Sequence, residues 1–135
     1  MRTFIIGAVL ALAASFASAQ EPRNPSIEGT IQRQLEAFQA DDFVTAFTFA
    51  SPSIRQMFGT PERFGQMVRN GYPMVWRPAE VEYLELREIR GALWQKVLIR
   101  DGEGRFHTLD YQMIPTEGGW QINGVTVVRQ PDVGA

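Results

Sequence analysis

The chain has 135 residues, with 13 basic and 15 acidic side chains, one His and no Cys, and a net charge of −2. Its Arg residues are dispersed, so no basic face exists to capture nucleic acid or an anionic membrane electrostatically. The absence of Cys excludes disulfides, thiolate zinc sites, thiol redox chemistry and Cys nucleophiles, and a lone His excludes a multi-His metal centre.

The chain opens with the pattern of a secretory signal peptide. Arg2 is a short positive region, Phe4 to Phe16 is almost unbroken apolar sequence, and Ala17-Ser18-Ala19 supplies the small residues a signal peptidase reads. Cleavage is expected between Ala19 and Gln20. The apolar run is shorter than the roughly 18 residues of a membrane span, so no membrane attachment is expected after cleavage. The expected organisation is a signal peptide at 1–19 and one domain at 20–135, placed in the periplasm or secreted.

After a short polar leader, Gln20 to Arg23, Asn24-Pro25 reads as an N-cap with Pro at the first helical position. Ile27, Ile31, Leu35 and Phe38 then fall on one face of a helix. Asp41-Asp42-Phe43 opens a second helix, carrying Val44, Ala46, Phe47 and Ala50. Ser51-Pro52 opens a third, stopped by Gly59, and Thr60-Pro61 a fourth, stopped at Asn70-Gly71. Helices are therefore predicted over about 24–70.

Beyond Pro78 the composition turns β-branched and aromatic. Strands are predicted at Val81–Arg90, Leu93–Arg100, Arg105–Ile114 and Trp120–Val128, within a strand region of about 81–128. Short Gly-containing joints make them an antiparallel meander. Alternation slips by one residue between Tyr83 and Leu84, and again at Asn123-Gly124, as at a β-bulge. The predicted fold class is α+β, with N-terminal amphipathic helices packed on a curved four-stranded antiparallel sheet.

Three segments carry a resemblance: the opening helix with Asp41-Asp42 and the stretch ending Phe47-Thr48-Phe49-Ala50-Ser51-Pro52; Phe64-Gly65-Gln66-Met67-Val68-Arg69-Asn70-Gly71-Tyr72; and Gly119-Trp120-Gln121-Ile122-Asn123-Gly124-Val125. In these the chain resembles the nuclear transport factor 2-like (cystatin-like) superfamily. More narrowly, it is similar to an exported bacterial family known only as a domain of unknown function. The superfamily resemblance implies a cone-shaped cavity, and it places Met74-Val75-Trp76 where other members have a first strand. It does not choose an activity, since the superfamily includes isomerases, dehydratases, ligand binders and oligomerising modules.

His107 shares a strand face with Leu109, Tyr111 and Met113, which makes His107 and Tyr111 the candidate catalytic pair. The plainer alternative is a His satisfied by a neighbouring carboxylate or carbonyl. Tyr72, Trp76, Tyr83, Trp94, His107 and Tyr111 are the candidate ligand-binding residues, although aromatic rings also fill cores. Asp110 faces away from His107 and is expected toward solvent. Asp41 and Asp42 read as helix-joint residues, while Glu85 and Arg87 depend on where the first strand slips. Ser51 and Ser53 lie in no nucleophile elbow.

No metal or cofactor is expected. Three functions follow: a non-catalytic accessory module binding a small molecule or a periplasmic protein; a small isomerase- or dehydratase-like enzyme using His107; or a module that oligomerises, as a homodimer, through its sheet face.

Overall fold

A computed structural model describes residues 19–129; the expected signal peptide, residues 1–19, lies outside them except for its last residue, Ala19. Ten elements follow in chain order: β1 (Ala19–Glu21), α1 (Pro25–Gln39), α2 (Phe43–Thr48), α3 (Pro52–Phe58), α4 (Pro61–Gly71), α5 (Pro73–Trp76), β2 (Pro78–Ile89), β3 (Ala92–Asp101), β4 (Phe106–Thr116) and β5 (Gly119–Val128). The helices form one layer and the strands the other. Among the described residues, no helix is long and apolar enough to cross a membrane.

The helix starts follow the predicted capping chemistry. Asn24 accepts from the backbone N–H groups of Ser26 and Ile27, at 3.0 and 3.3 Å. Asp42 accepts from Thr45 at 3.1 Å, Ser51 from Ile54 at 3.3 Å, and Thr60 from Arg63 at 3.2 Å. Each bond satisfies a donor that the first helical turn leaves unpaired. Gly59, at φ 81°, closes α3 in a conformation that a side chain would strain.

The sheet corrects the predicted fold class. It has five strands rather than four, and it is open and uncurled, running β1-β2-β3-β4-β5 with free ends at β1 and β5. That arrangement overturns the curved, nuclear transport factor 2-like (cystatin-like) sheet. The added strand joins the last residue of the expected signal peptide to the start of the expected polar leader: Ala19, Gln20 and Glu21 pair antiparallel with Glu88, Arg87 and Leu86. Met74-Val75-Trp76 is helical, not a strand, because Pro73 at its first position fixes a helical φ and the turn closes on the Tyr72 carbonyl.

The antiparallel meander and both phase slips are present. Between Tyr83↔Val97 and Leu86↔Gln95, β2 gains one residue on β3; between Gln112↔Gly124 and Met113↔Ile122, β5 gains Asn123 on β4. Each bulge is stabilised by a side chain. Buried Gln95 donates from Nε2 to the carbonyls of Leu84 and Lys96, both at 2.9 Å. Asn123 donates to Gln112 Oε1 at 3.0 Å and accepts from Ser51 Oγ at 2.7 Å.

The second bulge joins the two layers. Ile122 donates to the Phe49 carbonyl and accepts from the Ser51 N–H, both at 2.8 Å, in a short parallel bridge on the outer edge of β5. This pairing ends α2 at Thr48, earlier than the predicted Ala50. Between the layers, Ile27, Ile31, Leu35 and Phe38 are buried against Val97, Ile99, Leu109 and Met113. Gly65 lets α4 approach α2 closely: a Cβ there would stand 2.5 Å from the Phe43 ring.

Ser51 holds an N-cap, a backbone bridge and a side-chain bond at one buried position. Ser51→Ala is therefore expected to destabilise the domain by about 1–3 kcal/mol. Urea unfolding of Ser51→Ala, Asn123→Ala and the double variant checks this, with the double loss expected to be smaller than the sum of the two singles.

Candidate functional site

The layers do not close completely. Between the helices and the β4–β5 half of the sheet lies a cavity of about 420 Å³. α1 contributes Gln34 and Phe38, α3 contributes Ile54 and Phe58, and α4 contributes Phe64 and Met67. Tyr111 on β4 and Ile122 and Val125 on β5 form the sheet side, and Tyr72 and Val75 lie at the α4–α5 joint. Met57, 72% exposed, stands at the rim where the cavity meets solvent. Among the described residues, no charged side chain lines the cavity.

Its polar groups are few. The Gln34 amide is buried and donates to the Ala46 carbonyl at 3.1 Å. Tyr111 is 0% exposed, and among the described residues its hydroxyl has no hydrogen-bond partner. Burial pushes the Tyr111 pKa well above the ordinary phenol range, and the nearby Tyr83 and Tyr72 push it further. The hydroxyl is therefore a neutral donor at physiological pH.

The six aromatic and His candidates separate in space. Tyr72 and Tyr111 line the cavity. Tyr83 faces the helices from β2 and donates its hydroxyl to Gln32 Oε1 at 2.8 Å. Trp76 donates from its indole to Asp41 Oδ1 at 2.8 Å, beneath the Arg77 guanidinium 4.0 Å from its ring centroid. Arg77 also holds the Asp41 carboxylate, at 3.0 and 3.1 Å. Asp41, with positive φ, and the α2 cap Asp42 are joint residues, as the sequence implied. Trp94 lies on the outer sheet face, opposite Arg87 and Gln112.

His107 sits away from the cavity, at the β3–β4 turn. Its Nε2 is 2.8 Å from Asp101 Oδ2, while Asp101 Oδ1 accepts from the N–H groups of Glu103 and Arg105, both at 2.9 Å. The His107 bond, followed by the Arg105 N–H, lowers the Asp101 pKa to about 2. This is the satisfied His of the plainer alternative, clasping a turn. His107 and Tyr111 share a strand face, yet the fold does not join them in one site.

Asp110 faces away from His107 as expected, but it is not free in solvent. It pairs with Arg87 at 2.6 Å across β3, with the two side chains only 16% and 12% exposed. Glu85 pairs with Lys96 at 3.2 Å. Neither Glu85 nor Arg87 lines the cavity. Ser51 belongs to the bridge between the layers. Among the described residues, no group of three His, Asp or Glu side chains is placed to hold a metal ion.

Sequence reasoning missed the helical wall of the cavity. Phe38, Phe58, Phe64 and Met67 read as core-facing positions, and helical spacing does not distinguish a residue packed against the sheet from one facing a gap.

The chain belongs to the family described as Domain of unknown function (DUF4864), whose model matches residues 20–135. No curated protein and no solved structure matches it significantly.

The Asp101 clasp has a definite pH signature. Its folded pKa lies below the ordinary 3.8, so its stabilisation is complete above that value and is lost as pH falls through about 2. Asp101→Asn is expected to lower the melting temperature at pH 7, with the difference from the parent narrowing steadily between pH 4 and pH 2. Thermal melts across that window check the sign.

Proposed function

We propose that this DUF4864 domain is a non-catalytic binding module that takes up a small, largely apolar molecule between its helical layer and β4–β5. The cavity supports this reading most directly: about 420 Å³ of space enclosed almost wholly by aliphatic, aromatic and Met side chains. That size lies within the roughly 300–1,000 Å³ of small-molecule pockets, and the few polar groups suit orientation more than chemistry. Its ionisable lining groups are two tyrosines, and no carboxylate, imidazole or amine joins them as a general base.

The site of action is extracytoplasmic on this reading. Its support is the Arg2, apolar-run and Ala17-Ser18-Ala19 pattern, which precedes the segment matched by the family model. The outer sheet face carries the pairs Glu80–Arg100, Glu85–Lys96 and Arg87–Asp110. This charged ladder favours a solvated face over an apolar interface between copies.

A neutral fluorescent probe, N-phenyl-1-naphthylamine, tests the proposal. The domain is expected to bind it saturably, at one site per chain. Val125→Trp, which places a large ring in the cavity from β5, is expected to weaken binding by about tenfold or more while the circular dichroism spectrum is retained. Equal binding by parent and variant would remove the cavity from the reading.

A further inference from the structure

We infer that the natural ligand of the cavity is an uncharged apolar molecule bearing a hydrogen-bond-accepting oxygen, a carbonyl, ester or ether, received by the Tyr111 hydroxyl. This inference rests on the binding reading above and sharpens it to a chemical class.

The Tyr111 side chain is completely buried, lines the cavity and leaves its hydroxyl without a partner among the described residues. A buried hydroxyl of this kind costs about 1–3 kcal/mol when unsatisfied. Phe would fill the same volume without that penalty. Its neighbour Tyr83 shows the ordinary solution, bonding Gln32 on α1. The other buried polar side chain of the lining, Gln34, already donates to the Ala46 carbonyl. Tyr111 therefore supplies an unclaimed donor in the wall of an apolar space, and the group that completes it is an acceptor.

Charge on the ligand is selected against. Among the described residues no Arg, Lys, Asp or Glu lines the cavity, so a carboxylate or an ammonium would lose its hydration without a counter-charge. The Tyr111 hydroxyl stays protonated because burial raises its pKa, which fixes it as a neutral donor.

A matched pair of probes isolates the donor. Butyrophenone and n-butylbenzene differ by a carbonyl in place of a methylene, and sodium 4-phenylbutyrate adds a charge. Isothermal titration measures each against the parent domain and Tyr111→Phe. The affinity ratio of ketone to hydrocarbon is expected to fall by about 3- to 10-fold in Tyr111→Phe, with hydrocarbon affinity nearly unchanged. The carboxylate is expected to bind neither protein measurably. Without ligand, Tyr111→Phe is expected to melt about 2–6 °C higher than the parent, because it loses an unsatisfied group.

An unchanged ratio, with both probes still binding, overturns the Tyr111 assignment and leaves the cavity reading standing. Binding of the carboxylate as tight as that of the ketone overturns the exclusion of charge. A lower melting temperature for Tyr111→Phe shows that the hydroxyl serves the fold and also overturns the assignment. If the parent binds neither neutral probe nor N-phenyl-1-naphthylamine, the cavity reading itself fails.

Discussion

The fold depends on how the edge of β5 is closed. An edge strand presents unpaired N–H and C=O groups, and the outer edge of β5 would otherwise leave them open beside the core. Here the Phe49–Ser51 segment pairs with Ile122, and the Asn123 bulge turns its amide between Ser51 and Gln112. One local irregularity thus covers the strand edge and fixes where α3 begins. Because Ser51 is also the N-cap of α3, that helix leaves the sheet from a set position. The cavity lies beneath it, lined by Ile54 and Phe58 from α3 and by Ile122 and Val125 from β5.

A hollow of this size is costly in a small domain. Each unfilled volume forfeits dispersion contacts, and the surrounding side chains relax into it only partly. The rest of the interior is packed to compensate. The Phe64 ring meets Phe38, Phe47 and Phe58 with centroids 5.4 to 5.7 Å apart, and Gly65 allows α4 to press directly on Phe43. The chain therefore holds a dense aromatic wall on one side of the space and leaves the space itself unfilled. Met57 and Met67, with their flexible thioethers, lie where the lining must adapt to an occupant.

Much of the fold was legible because its signals are local. Capping residues and Pro at first helical positions marked four helix starts, and turn glycines with alternating apolar residues marked four strands. Both bulges showed as phase slips. The unread parts are set by partners far along the chain. Gln20 and Glu21 have no strand signal of their own and become a strand only because β2 offers an edge. Pro73 to Trp76 holds residues common in strands, yet a tight turn after α4 makes them helical. The curved sheet was wrong for a related reason: two bulges bend strands locally without rolling the sheet, whose end strands β1 and β5 do not pair with each other.

The site was legible only by face. Strand parity put His107 and Tyr111 on the same side of β4, and that is where they are. Parity says nothing of position along the strand, and four residues of extended chain separate the two by about 13 Å. At one end His107 meets Asp101 in a turn; at the other Tyr111 meets the cavity. The useful distinction among the polar aromatic residues is whether the protein already satisfies them. Trp76 has Asp41, Tyr83 has Gln32 and His107 has Asp101, so each is accounted for by the fold. Tyr111 is more deeply buried than any of these and, among the described residues, its hydroxyl has no such partner. On the proposed reading, a phenol kept at that position, where the apolar ring alone would pack as well, is explained by something outside the chain that accepts its hydrogen bond.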